Sequence, residues 1–194
     1  AIRLAIVQRL PWLKRQREQL QTTERQTERE MVAGESHYVW GQRRRLDLVV
    51  SERRPRVEVI GPKLRLTVRA DADADARRAL LDAWYRRQLK GAIPALVEKW
   101  QPVIGREVAG WTVRKMRTKW GSCVPGPGRL WFNVELAKKS PACLEYIVVH
   151  EMTHLLERTH NDRFVGLMDK NLPNWRALRD ELNGAPLADE EWPS

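Results

Sequence analysis

The chain has 194 residues, with 35 Lys+Arg against 25 Asp+Glu and a formal net charge of +10. That length suits one domain, or one domain with a satellite, and a hydrophobic share of 42% is enough for a packed core, which excludes wholesale disorder. Two cysteines, Cys123 and Cys143, exclude a disulfide-stapled secreted scaffold and favour a reducing, cytoplasmic setting; no apolar run approaches the roughly 20 residues of a membrane span, and no signal peptide is visible.

In chain order, the first predicted element is a helix over residues 11–32, with Pro11 in its first turn and a body rich in Gln, Glu and Arg. Its apolar positions are sparse (Trp12, Leu13, Leu20), which predicts a peripheral helix ended by Gly34. His37–Trp40 reads as a short strand with Gly41 in the turn. Leu46, Leu48 and Val50 continue an alternating pattern that Val57 and Val59, then Leu64, Leu66 and Val68, carry across a Gly61-Pro62 turn. The expectation for residues 37–69 is a small antiparallel meander.

Asp71–Asp75 caps a long helix whose stripe is Leu81, Tyr85, Leu89, Ile93, Leu96 and Trp100. Pro94 predicts a kink or a split in it, and Pro102 with Gly105 predicts its end. Residues 107–119 favour a strand. Trp120-Gly121-Ser122-Cys123 reads as a corner leading to a Pro-Gly turn, and Arg129–Leu136 reads as another strand. Ser140 and Pro141 have the N-cap and first-turn character that opens a further helix.

The charge is unevenly placed: residues 1–69 carry a net +8, residues 70–140 a net +7 and residues 141–194 a net −5. A basic front of this kind fits either an Arg-rich solvated face or a polyanion partner such as nucleic acid.

The helix after Ser140 carries the chemistry. It contains His150-Glu151-Met152-Thr153-His154 in an apolar setting, with Ile147-Val148-Val149 before it and Leu155-Leu156 after it. Four residues advance a helix by about 400°, so the two imidazoles lie about 40° apart and about 6 Å along the axis, able to converge on one metal ion. Glu151 stands beside them, placed to take a proton from a water on that ion. An open catalytic site needs a third protein ligand. His160 qualifies if the helix stops near Glu157–Thr159; on a continuing helix it would lie about 15 Å from His150. Asn161 or Asp162 supplies a cap for a new helix over 163–169, with Phe164, Leu167 and Met168 facing inward. Should His160 be an ordinary solvated side chain, Asp169, Asp180 or Glu181 must supply the third ligand.

The other reactive residues have plainer roles. Cys123 and Cys143 read as packing, Ser122 lacks a base, and His37 reads as a strand histidine. The nine tryptophans read mainly as core around the catalytic helix, with base stacking as the sharper alternative.

The H-E-x-x-H-x5-H spacing resembles the metzincin branch of the zincin metallopeptidases, although Glu157 stands where those proteins carry a glycine. A closer resemblance is to the YgjP-like metallopeptidase family, related to the SprT-like and WLM proteases. It rests on Gly34–Gly41, Trp84-Tyr85, Met116–Cys123, Leu130–Asn133, His150–Phe164 and Leu172–Trp175, in that order along nearly the whole chain. This resemblance implies one zinc ion on His150, His154 and His160, with Glu151 as general base. It also implies an N-terminal truncation, because family members begin with an additional strand-rich segment, and the chain here opens at Ala1. Val165 departs from the tryptophan that commonly follows the phenylalanine.

The expectation is therefore an α+β fold: a zincin-like metallopeptidase domain over 71–194, its active-site helix packed on a small mixed sheet, preceded over 1–70 by an N-terminal helix and β-meander. The expected activity is zinc-dependent hydrolysis of a protein or peptide substrate by a metal-activated water. An extended substrate would pair with an edge strand near Arg129–Val134. The alternatives are a nucleic-acid-associated protease that uses the basic N-terminal region, and a non-catalytic zinc-containing module that binds a partner. The presence of Glu151 speaks against the last.

Overall fold

The structure is a computed structural model and describes residues 30–184. The helix expected over 11–32 falls outside the described residues up to position 29. Glu30–Val32 are not helical, and Met31 is buried with φ of 57°.

Four strands form the first sheet: β1 (Ser36–Val39), β2 (Gln42–Val50), β3 (Arg56–Ile60) and β4 (Lys63–Val68), in the order β1-β2-β4-β3. Trp40 and Gly41 both take positive φ, 50° and 77°, which is the two-residue turn that matches the twist of a β1–β2 hairpin. The sheet is not the expected meander. β2 and β4 pair in parallel, Leu46 opposite Leu64 and Leu48 opposite Leu66, and β3 is displaced to the edge. The cause is burial. β4 encloses Leu64, Leu66, Thr67 and Val68, whereas β3 leaves Val59 and Ile60 open and follows Arg53-Arg54-Pro55. The more apolar strand takes the centre.

The long helix α1 (Ala74–Ile104) is capped by Asp73, whose carboxylate accepts from the Ala76 N–H at 2.8 Å, and is closed by Gly105 at φ 71°. Pro94 neither splits it nor ends it. The proline and Lys90, whose carbonyl it leaves without a helical donor, both lie on the solvent side, where water can satisfy that carbonyl. Val97 lies in the buried stripe, and Leu96 is half-buried at its margin.

Three strands form the second sheet: β5 (Gly110–Arg114), β6 (Gly121–Val124) and β7 (Arg129–Asn133), in the order β5-β7-β6. Two expectations change here. The Trp120–Cys123 corner is largely strand, since Gly121–Val124 pairs antiparallel with β7. The Arg129 strand is central, paired in parallel with β5 on its other side, so the edge beside the catalytic helix is β6. Leu130 and Phe132 are wholly buried, and that explains why β7 is enclosed on both sides. Asn133, also wholly buried, donates to the carbonyls of Met116 and Lys119 at 2.9 Å each and fixes the loop that delivers the chain into β6.

A 3-10 turn over Val134–Lys138 joins β7 to α2 (Pro141–Thr153), which Ser140 caps. The β1–β2 turn docks on this junction: Trp40 N–H donates to Ala137 at 2.9 Å and Gly41 N–H to Lys138 at 3.2 Å. A Cβ on Gly41 would stand 3.3 Å from Ser140, so the close approach as well as the positive φ favours glycine. Two further helices, α3 (Asp162–Asn171) and α4 (Trp175–Gly184), pack over α2. One buried cluster runs from Met31, ahead of β1, through the first sheet, α1 and α2 to Leu182. The fold class is α+β with two small mixed sheets, and no described helix is long and apolar enough to cross a membrane.

Candidate metal centre

Nine of the thirteen residues of α2 are buried, which holds the helix rigidly while its last turn opens towards a cleft. The α-helix ends at Thr153, about a turn earlier than the expected Glu157–Thr159. His154 is its C-cap, and tight bonds from Leu155 to Met152 (3.0 Å) and from Leu156 to Thr153 (2.9 Å) wind up the end. Residues 157–160 then turn back. Asn161 restarts the chain as a helix by accepting the Phe164 N–H at 3.0 Å, as its residue type predicts.

This path brings His160 beside the other two imidazoles. The ring centroids of His150, His154 and His160 are 4.9, 5.0 and 4.8 Å apart, and one nitrogen from each lies within 4.8 Å of the others. Phe164 lies against all three rings at 4.7–5.0 Å, a buried apolar wall that restricts their rotation. The substitutes for His160 are engaged elsewhere: Asp169 accepts from Trp175 Nε1 and pairs with Arg176, Asp180 pairs with Arg179, and Glu181 lies beside Cys143 and Lys139.

The donor chemistry fits a cation of zinc's type. His150 Nε2 and His160 Nε2 face each other at 3.1 Å, close to the roughly 3.3 Å that two nitrogens keep around a tetrahedral ion with bonds of about 2.0–2.1 Å. His154 Nδ1 lies 2.9 Å from the Glu157 carbonyl; donating there, it leaves the Nε2 lone pair for a ligand bond. Burial, reinforced by the other two imidazoles, pushes the His150 pKa down to about 3, and its Nδ1 is enclosed without a hydrogen-bond partner. Burial also lowers His154, against the pull of the Glu157 carbonyl. Both rings are thus held neutral, the form that binds metal.

Glu151 follows His150 on the same helix, lines the same cleft and is 5% exposed. Burial raises its carboxyl to about 8, with Lys119 pulling it partly back. Its close neighbour on β6 is Gly121, for which residue type and spacing alone predict no role. A Cβ there would fall 2.5 Å from Glu151 Oε1 and 2.9 Å from Cδ, so the β6 backbone approaches the carboxylate more closely than any side chain allows. The available signal was a glycine at the start of a short run ahead of the Pro-Gly turn.

Thr118–Pro127, Tyr146, His150, Glu151, His154, Arg158, His160 and Arg179 enclose a cleft of about 860 Å³. Tyr146 lies edge-on to His150 and stacks on Trp175. Cys123 lines the same cleft, but burial and the Glu151 carboxylate push its thiol up to about 12, so it is no thiolate nucleophile. Ser122 lies there too, whereas His37 is buried in the first sheet against Glu35 at 3.2 Å. Val165 is half-buried and packs on the core.

These features are those of a hydrolase of peptide bonds, and the chain is a metallopeptidase. It belongs to the YgjP-like family, whose metallopeptidase-domain model matches residues 1–185. The comparison with curated proteins gives no match. Among solved structures, the metallopeptidase zymogen abylysin of Pyrococcus abyssi is similar at 16% identity and a TM-score of 0.46, over 51% of this chain and 99% of that one.

Proposed function

We propose that this metallopeptidase works with one zinc ion held by His150, His154 and His160, and with Glu151 as its general base. The convergence of three imidazole nitrogens at the open end of a buried helix carries the reading. When bound, zinc polarises the scissile carbonyl and acidifies water. Glu151 takes the proton from the attacking water and passes it to the leaving amine. Its burial keeps the carboxylate poorly solvated and therefore basic, and positive charge beside it favours the ionised form needed to accept a proton. Gly121 keeps the path to the carboxylate narrow.

The substrate strand lies along β6. That strand is the edge of its sheet, it borders the cleft, and its unpaired backbone groups can accept an extended peptide by strand addition. In the full chain loaded with zinc, an unfolded protein substrate is cleaved, a chelator stops the reaction, and added zinc restores it. Cleavage that persists after complete chelation contradicts the proposal.

A further inference from the structure

We infer that the cleft selects peptides carrying carboxylate side chains, and that Lys119 and Arg158 read them. This deepens the peptidase reading and rests on it. Three permanent cations line the cleft, Lys119, Arg158 and Arg179, against a single acid, Glu151, which is buried and committed to the reaction. The next acid on the same loop, Glu157, is half-buried, does not line the cleft, and is engaged by Thr159 and Arg163. Arg179 is partly neutralised by Asp180 at 3.1 Å. Lys119 and Arg158 are exposed and form no ion pair among the described residues.

Their placement suits a strand laid on β6. Lys119 stands two residues before that strand, on the loop that Asn133 holds, and its charge is felt at both Glu151 and His154. Arg158 lies beyond the other end, sharing a second hollow with the Pro125–Gly128 turn that follows β6. An extended peptide in this register therefore passes one exposed cation, free of any ion pair among the described residues, on each side of the reacting centre. Acidic side chains there gain favourable charge pairs, and basic ones meet repulsion with no acid to offset it.

The test uses the full zinc-loaded chain and three peptides of identical backbone with blocked termini, so that no terminal carboxylate contributes. The peptides carry Glu, Gln or Lys flanking the cleaved bond. Binding is read by fluorescence anisotropy on the Glu151→Gln variant, and cleavage on the wild type. The Glu peptide binds about fivefold more tightly than the Gln peptide at low salt, a gap that closes by 0.5 M salt, as expected for two exposed pairs (on the order of a fewfold in total). In the Lys119→Glu/Arg158→Glu variant the order reverses in favour of the Lys peptide. Equal binding of all three peptides, or a preference for Glu that survives the double reversal, overturns the inference. Selective binding of the Glu peptide without cleavage by the wild type supports the inference and counts against the peptidase reading instead.

Discussion

Glu151→Gln lowers kcat by roughly 10²–10⁴, the range a positioned general base contributes, while the protein retains its zinc and its fold. The substitution keeps the size and shape of a side chain that is 5% exposed, so it opens no cavity. It removes the one group in the cleft able to accept a proton from water at that position. His150, His154 and His160 are the proposed metal ligands, Cys123 is held as a thiol, and the Tyr146 hydroxyl is pushed up to about 12 by burial. Steady-state hydrolysis with metal analysis on the same preparation checks the result. A variant that turns over at the wild-type rate removes Glu151 from the role of base.

Gly121→Ala has a comparable effect by a different route. The glycine has an ordinary backbone conformation, so the substitution introduces no φ strain; what it introduces is a methyl group 2.5 Å from Glu151 Oε1 and 2.6 Å from Cγ. The carboxylate must move by about an ångström, and displacements of that size at a reacting centre cost about 10²-fold in rate. The nearest atoms the added methyl meets all belong to Glu151 and none to the three imidazoles, so metal affinity stays unchanged. Activity down about 100-fold at full zinc occupancy is the expected outcome. Wild-type kcat in the alanine variant would show that the close approach has no bearing on the base.

The parts of this site that were legible in the sequence are those fixed locally. The four-residue spacing of His150 and His154 follows from helical periodicity alone. Ser140, Asp73 and Asn161 announce their caps by residue type, because each side chain accepts from a backbone N–H three residues on, and Pro141 suits the first helical position because it has no N–H to leave unpaired. The inward return of His160 followed from the same logic, since a helix restarted at Asn161 requires the previous one to have ended.

What escaped depends on distant partners. β2 pairs with β4 rather than β3 because β4 buries more, a comparison between strands that no single alternating pattern contains. β7 reads as an edge from its own sequence, which does not reveal that β5 and β6 cover both of its sides. The role of Gly121 lies in a contact with residue 151, thirty positions away, and only the folded chain brings the two together. The early end of α2 was missed by a turn because Leu155 and Leu156 continue the apolar pattern while their backbone has already tightened.

The most direct test of the zinc centre is metal stoichiometry and affinity on the wild type and on His160→Ala, each dialysed against buffered zinc and read by elemental analysis. The wild type holds one zinc per chain. The variant, deprived of the ligand that the turn at 157–160 brings in, binds at least about 100-fold more weakly, since even lesser supporting groups are worth 10–100-fold. A wild-type chain that retains no zinc, or a His160→Ala chain that binds it as tightly as the wild type, would contradict the three-imidazole centre.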